Sequence, residues 1–202
     1  MGKRERWRNL RTLIVTVSHK LLMRYSLSIV YEGIFLFGSN IPDYMGLPHI
    51  VVIDIDGTIS EASNRLHLLP SEGKGELTEH WNDFNLACDT DEPIQPVINM
   101  VQQIASRYTV WFVTGRSEIA RDKTRSWLRK HVTRGVEPLL TMRHPTDHRR
   151  DAPVKLDLLK RIGLQKIAFA IEDKIEVARA FRKNGILTLM VREYSEPMKH
   201  QL

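Results

Sequence analysis

Asp54 and Asp56 stand two residues apart at the end of an apolar run, Ile50–Ile53, and Gly57-Thr58 follow them. A β-prone run of this length predicts a fully buried parallel strand. Residues i and i+2 leave a strand on one face. The two carboxylates are therefore expected side by side where Gly57 and Thr58 turn the strand into a loop. Open α/β sheets place their ligands at that end. Two acids held there divide labour, one as nucleophile or metal ligand, the other as general acid and base. The pentapeptide also fits a plain strand cap in an ordinary α/β domain, and the rest of the chain decides between the two readings.

Similar polar signals recur where strands are expected to end. Residues 108–113 predict a strand ending at Thr114-Gly115-Arg116, and 166–171 a strand ending at Glu172-Asp173. Lys155 adds a cation at the start of a helix expected over 153–162. In a parallel sheet these ends converge on one side. The set offers two acids for nucleophilic and acid–base work, a hydroxyl and cations for phosphoryl oxygens, and distal acids for a hard metal. It suits phosphoryl transfer, in which catalysis is largely positioning and charge neutralisation. Oxygen-only ligands fit a Mg²⁺ held by a few carboxylates and a substrate phosphate.

The intervening segments read as the elements that carry these ends. Ile94, Val97, Ile98, Val101 and Ile104 fall at helical spacing and predict a helix over 93–107. A second helix is expected over 117–131 with Ser117 as its N-cap, then a short strand over 139–142 and a basic loop before Lys155. A helix ending at Lys183 is closed by Asn184-Gly185, and 186–191 is a last strand. Strands alternating with helices predict a parallel, doubly wound α/β sheet. Residues 60–92 are polar, with a turn-like stretch at 71–75, and read as a small cap insert over the end of the first strand.

A chain of 202 residues suits one domain with a sizeable core. Its net charge of +6 is unevenly spread: residues 1–44 hold seven Lys/Arg against three acids, and the rest holds 23 against 21. The body is nearly balanced, so any nucleic-acid contact there must be a local patch. The domain is expected over 45–202, with 1–44 a basic leader, poorly ordered or upstream of a true start at Met45. The single cysteine, Cys88, forms no intramolecular disulfide and reads as a buried thiol. No apolar stretch reaches the roughly 18 residues of a membrane span; residues 27–37 are the best candidate, and Glu32 interrupts them. Ser18-His19-Lys20 ends the early apolar stretch too soon for a signal peptide, and Arg6 spoils a myristoylation signal. A cytoplasmic protein is expected.

Taken together, Asp54-x-Asp56-Gly57-Thr58, Thr114, Lys155 and Glu172-Asp173 resemble, in order, the four motifs of the haloacid dehalogenase (HAD) phosphatase superfamily. That resemblance implies a HAD-like Rossmannoid three-layer sandwich around a parallel sheet. It implies that Asp54 attacks phosphorus to give an aspartyl phosphate, and that Asp56 protonates the leaving oxygen and then helps activate water. Thr114 would hydrogen-bond the phosphoryl group and Lys155 would stabilise its charge. Asp54, the Asp56 backbone carbonyl and Asp173, with Glu172 further out, would hold Mg²⁺.

A narrower resemblance is to the 3′-phosphatase domain of phage-type polynucleotide kinase. It rests on Arg65 and His67, Trp81 and Phe84, Asp89 and Asp91-x-Pro93, Thr114-Gly115-Arg116, and Asp147-x-Arg149-x-Asp151 with Lys155. It implies phosphate or nucleotide contacts from Arg65, Gly115-Arg116 and Arg149, and an Asp151 that positions Lys155 or an arginine. The family's Asp-Asp-Arg is Glu172-Asp173-Lys174 here, so Asp173 is the firmer metal candidate and Lys174 lacks the guanidinium fork. No Gly-x-x-x-x-Gly-Lys-Ser/Thr loop occurs in the sequence, so a kinase half is not expected in this chain.

The expected activity is a Mg²⁺-dependent phosphomonoesterase, preferentially a polynucleotide or nucleotide 3′-phosphatase. A 5′-nucleotidase on free mononucleotides is the rival enzyme. A catalytically silent nucleotide- or DNA-end-binding module is the rival of another class, though it has no chemical need for Asp54, Asp56, Lys155 and Asp173 together. Trp81 and Phe84 suit either stacking on a base or packing the insert onto the core. Arg143, His144, His148, Arg149 and Arg150 suit either a grip on phosphates or a solvated loop.

Overall fold

The computed structural model describes residues 48–71 and 75–192, so the basic leader and Met45 lie outside the described residues. In chain order the elements are β1 (Ile50–Ile53), β2 (Ser60–Glu61), α1 (Asn82–Leu86), β3 (Glu92–Pro93), α2 (Gln95–Ile104), β4 (Thr109–Ser117), α3 (Arg121–His131), β5 (Leu139–Arg143), α4 (Asp151–Ile162), β6 (Ile167–Glu172), α5 (Ile175–Lys183) and β7 (Thr188–Met190). Five strands form one sheet in the order β5-β4-β1-β6-β7, and every neighbouring pair is parallel.

The alternation of side chains along β1 explains why the sheet is covered on both faces. Val51 and Ile53 join one core cluster with Ile98 and Val101 of α2 and Trp127 and Leu128 of α3. Ile50 and Val52 join another with Val154, Leu158 and Leu159 of α4 and Val177 and Phe181 of α5. All four β1 residues are buried, as a central parallel strand requires. The chain leaves β1 toward β4 and β5 on one side and returns to β6 and β7 on the other. The carboxyl end of β1 thus faces the switch point where such sheets bind ligands.

The insert between β1 and α2 consists of short 3₁₀ turns, Ser63–Leu68, Thr78–Trp81 and Cys88–Thr90, around the one-turn α1. Its two ends are stitched together by the antiparallel pair β2–β3, with Ser60 opposite Pro93. Cys88 is buried and free, with its sulfur 3.5 Å from the Thr124 hydroxyl.

Several boundaries differ from the sequence expectation. β4 runs on through Thr114-Gly115-Arg116 to Ser117, with a register shift against β5 between Val113 and Ser117. Ser117 therefore caps no helix: a 3₁₀ turn, Glu118–Ala120, intervenes before α3, and the Ser117 hydroxyl is buried without a partner. α4 begins at Asp151, two residues before Pro153, because a proline in the first turn removes an N–H that has no helical acceptor anyway. α2 begins later, at Gln95, and β7 is shorter than expected. Among the described residues no helix is long and apolar enough to cross a membrane.

Candidate active site

Asp54 follows β1 directly, and its amide donates to the Ile171 carbonyl of β6, 3.0 Å away. The tight turn after it needs Gly57, whose φ is 76°, and gathers the amides of Thr58, Ile59 and Ser60 on the Ile55 carbonyl. That turn brings the Thr58 hydroxyl back to donate to Asp54 Oδ2 at 3.1 Å. Lys155, one turn into α4, donates to Asp54 Oδ1 at 2.6 Å and to Glu172 Oε2 and Oε1 at 2.9 and 3.2 Å. Glu172 Oε1 also accepts the amides of Asp173 and Lys174. Both Glu172 oxygens are thus engaged, and the longer side chain is used to hold Lys155.

The electrostatics of this pocket are lopsided, with three buried acids against one buried lysine. Burial and the neighbouring Glu172 push the Asp54 carboxyl up to about 6, against the pull of Lys155. Burial, then Asp54 and Glu172, push Asp173 well above its ordinary value. Burial opposes the charge on Lys155, but Asp54 and Glu172 hold its pKa well above the usual lysine value. One carboxylate oxygen each from Asp54, Glu172 and Asp173 lie within 4.8 Å of one another. Asp173 Oδ1 is buried with no hydrogen-bond partner. An orphaned buried carboxylate oxygen among acids with too few cations fits a hard divalent ion. Of the three acids, Asp173 has the oxygen most open to one.

Asp56, the more accessible of the pair with a side chain 27% exposed, has the opposite surroundings. Arg116 donates to its Oδ2 from Nε at 2.9 Å and to its Oδ1 from Nη2 at 2.7 Å, and Arg65 donates to Oδ1 as well. Burial would raise this carboxyl, but Arg116 and then Arg65 outweigh it and hold it well below the usual carboxylate range. Behind the two arginines lies Asp91, with a fully buried side chain that takes Arg65 through both oxygens at 2.7 and 2.8 Å and Arg116 at 2.9 Å. The Ser60 hydroxyl donates to Asp91 at 2.5 Å, and Trp127 Nε1 fixes the Asp91 carbonyl at 2.8 Å. Phe84 packs its ring under the Arg65 guanidinium, 3.9 Å from centroid to Cζ, and accepts an Arg65 N–H at its carbonyl. Phe84 is therefore core, in edge-on contact with Trp81, and not a free stacking platform.

A third group supports Lys155 from the side of β4. The Thr114 hydroxyl accepts the Arg116 amide at 3.2 Å, which shapes the bulged end of β4. Asp151 lies against Gly115 so closely that a Cβ there would stand 2.6 Å from Oδ1. Arg143 and Lys174 hold the Asp151 carboxylate, Lys174 at 2.6 Å. Burial opposes the Asp151 charge, but Lys174, Lys155 and Arg143 together keep its pKa well below normal.

The structure thus joins Asp54, Asp56, Thr114, Gly115, Arg116, Arg65, Asp151, Lys155, Glu172 and Asp173 around one strand-end cluster. Arg149 stands apart from it: its half-exposed guanidinium pairs with Asp147 and Asp157, each at 2.7 Å, and with none of the acids named above. His67 is exposed. Asp91 carried no site role in the sequence, and Arg143, expected either to grip phosphates or to be solvated in the loop, is instead buried on the Asp151 carboxylate and three carbonyls. Asp91-x-Pro93 was visible as a motif, but its partners lie 25 and 26 residues away in opposite directions.

Comparison with known proteins adds the family. The family model for the polynucleotide kinase PNKP phosphatase domain matches residues 48–195. Among solved structures, the chain is similar to one in the Pnkp1/Rnl/Hen1 complex, with a TM-score of 0.60 and 22% identity over 82% of this chain and 52% of that one. A second, in the Pnkp1/Rnl/Hen1 RNA repair complex, gives 0.55 and 23% over 80% and 47%. This chain therefore spans about half the length of those relatives. A haloacid dehalogenase-like hydrolase from Streptococcus pneumoniae shares the fold at a TM-score of 0.50 and 13% identity, over 72% of this chain and 84% of that one. No curated protein matches. With three HAD motifs at strand ends of a parallel sheet, the Lys155 motif in the first turns of α4 and a family model spanning the whole sheet, the chain belongs to the polynucleotide kinase PNKP phosphatase domain family and is a HAD-type phosphatase.

Proposed function

We propose that this phosphatase removes a 3′-phosphate from a nucleic-acid or nucleotide end, with Asp54 as nucleophile and Mg²⁺ as cofactor. The observation that carries the reading is the pairing of a buried, cation-poor Asp54 with an arginine-clamped Asp56 two residues on. The assembly of two structural relatives in complexes with Rnl and Hen1, one of them described as an RNA repair complex, supports a nucleic-acid end as substrate.

In this mechanism Asp54 forms an O–P bond as the P–O bond to the leaving hydroxyl breaks. Lys155 and Thr114 hold the phosphoryl oxygens, and Asp56 supplies the proton to the leaving oxygen. Water then attacks the aspartyl phosphate, and Asp56 accepts its proton. Asp54, Asp173 and the Asp56 carbonyl would hold Mg²⁺, which neutralises phosphoryl charge when bound. Asp56 must first take up a proton, which two guanidinium groups oppose in the free protein. A phosphoryl dianion bound beside Asp56 weakens that opposition by its own negative charge, so substrate arrival readies the acid.

Phosphate release tests the proposal with a 3′-phosphorylated oligonucleotide, a 3′-mononucleotide and a 5′-mononucleotide, each with Mg²⁺ or with EDTA. Release confined to the 3′-phosphates and abolished by EDTA is expected. A preference for the 5′-mononucleotide would replace the reading with a 5′-nucleotidase. No release from any of them would favour a silent end-binding module.

A further inference from the structure

We infer that Arg150 contacts the backbone phosphate of a single nucleic-acid strand leading to the reacting terminus, making this enzyme selective for polymers over mononucleotides. This rests on the 3′-end reading above and extends it from the terminal phosphate to the strand that carries it.

The loop from Arg143 to Asp151 holds three arginines and two aspartates. Arg143 is buried and donates to the carbonyls of Gly115 at 2.9 Å, Asp147 at 3.0 Å and Arg149 at 2.6 Å, and to the Asp151 carboxylate. Arg149 is consumed as a strut, bridging Asp147 in the loop to Asp157 on α4. Both aspartates are thereby neutralised, and Arg150 is the surplus. Its side chain is exposed and pairs with no carboxylate among the described residues.

The position of this surplus charge matters as much as its sign. Arg150 immediately precedes Asp151, whose carboxylate rests on Gly115, and stands five residues before Lys155, whose amine is 2.6 Å from Asp54. It therefore lies on the strand-end side of the sheet, where the reacting phosphate is expected. Exposed cations such as Lys183 lie at the far ends of helices that run back from that side.

The loop is also held rigid. Besides the Arg143 bonds on either side of Arg150, the insert ties down its middle: Thr78 donates its hydroxyl to the Asp147 carbonyl at 2.7 Å and its amide to His148 Nδ1 at 3.0 Å. A lone cation on a fixed loop pays little ordering cost when a phosphate arrives. A mononucleotide has no second phosphate to place there, whereas a strand has one at each step. With a near-neutral body, a single added contact is enough to distinguish the two.

The test is Arg150→Gln, with Lys183→Gln as the control. Two readouts are taken: the ratio of kcat/KM for a 3′-phosphorylated oligonucleotide over a 3′-mononucleotide, and wild-type and variant binding of an unphosphorylated single-stranded oligonucleotide across a salt series. The expected result for Arg150→Gln is a roughly three- to tenfold fall in the ratio, with the log–log salt slope reduced by about 0.7 to 1. Lys183→Gln should change neither. An unchanged ratio and salt slope in Arg150→Gln, or equal changes in both variants, would overturn the inference. If the wild type releases no 3′-phosphate but Arg150→Gln still weakens strand binding with the reduced slope, the 3′-phosphatase reading fails and the strand contact stands.

Discussion

Asp54 and Asp56 are separated by one residue and occupy opposite electrostatic environments. Asp54 is buried beside Glu172 and Asp173 with Lys155 as its one ion-pair partner among the described residues, and its carboxyl rises to about 6. Asp56 is partly open, held by Arg65 and Arg116, and its carboxyl is driven below the usual range. The strand geometry makes them neighbours, and the elements behind each make them different: α4 and the end of β6 behind Asp54, the insert and the end of β4 behind Asp56. On the function proposed above, a metal ion would complete the deficit of positive charge at Asp54, whereas the two arginines at Asp56 are balanced by Asp56 and Asp91. Two similar residues are thus given different protonation preferences by what is packed behind them.

The widest break in this comparison is removal of the nucleophile. Asp54→Asn should lower turnover by about 10⁴-fold or more while keeping the far-UV circular dichroism of the wild type. Next is the support behind Asp56. Asp91→Ala leaves two buried guanidinium groups without their shared inner carboxylate, and loss of one partner from such a group costs about 3–5 kcal/mol. A matching drop in unfolding free energy, read from the denaturant midpoint, is expected, together with loss of activity.

Gly115→Ala sharpens the comparison from the other side. Its Cβ would meet Asp151 Oδ1 at 2.6 Å, and the carboxylate must yield to it. Displacing the group that flanks Lys155 should cost roughly 10- to 100-fold in kcat, with a smaller loss of stability. The smallest effect belongs to the exposed pair outside the cluster. Arg149 side-chain hydrogen bonds hold the Asp147 carboxyl down to about 2. A depressed carboxylate contributes stability above its unfolded pKa of about 3.9 and loses it as pH falls through the folded value. Arg149→Gln should therefore melt slightly lower than wild type at pH 7, with the difference vanishing near pH 2.

The sequence made one half of this contrast easy to read and the other half hard. Asp54, Lys155 and Asp173 each sit at a strand end or a helix start, so the apolar runs that mark those elements located them, and the resemblance to known motifs supplied their expected roles. Asp91 is different: its function is to satisfy Arg65 and Arg116, contacts that exist only once β2 pairs with β3 and closes the insert. Arg143 was read as part of a cationic loop, yet three of its hydrogen bonds go to carbonyls, and backbone acceptors leave no mark in sequence. Ser117 looked like an N-cap because Ser before a helix-prone run usually is one. The register shift in β4 carried the strand past it instead. Glu172 and Asp173 look interchangeable in sequence, but one is engaged by Lys155 and two amides while the other has an oxygen with no partner.

Calorimetric titration of Mg²⁺ into the wild-type protein and into Asp173→Asn probes the charge deficit around Asp54. One ion bound per wild-type chain and at least about tenfold weaker binding in the variant are expected. No heat of binding in the wild type, or equal affinity in both proteins, would contradict this expectation.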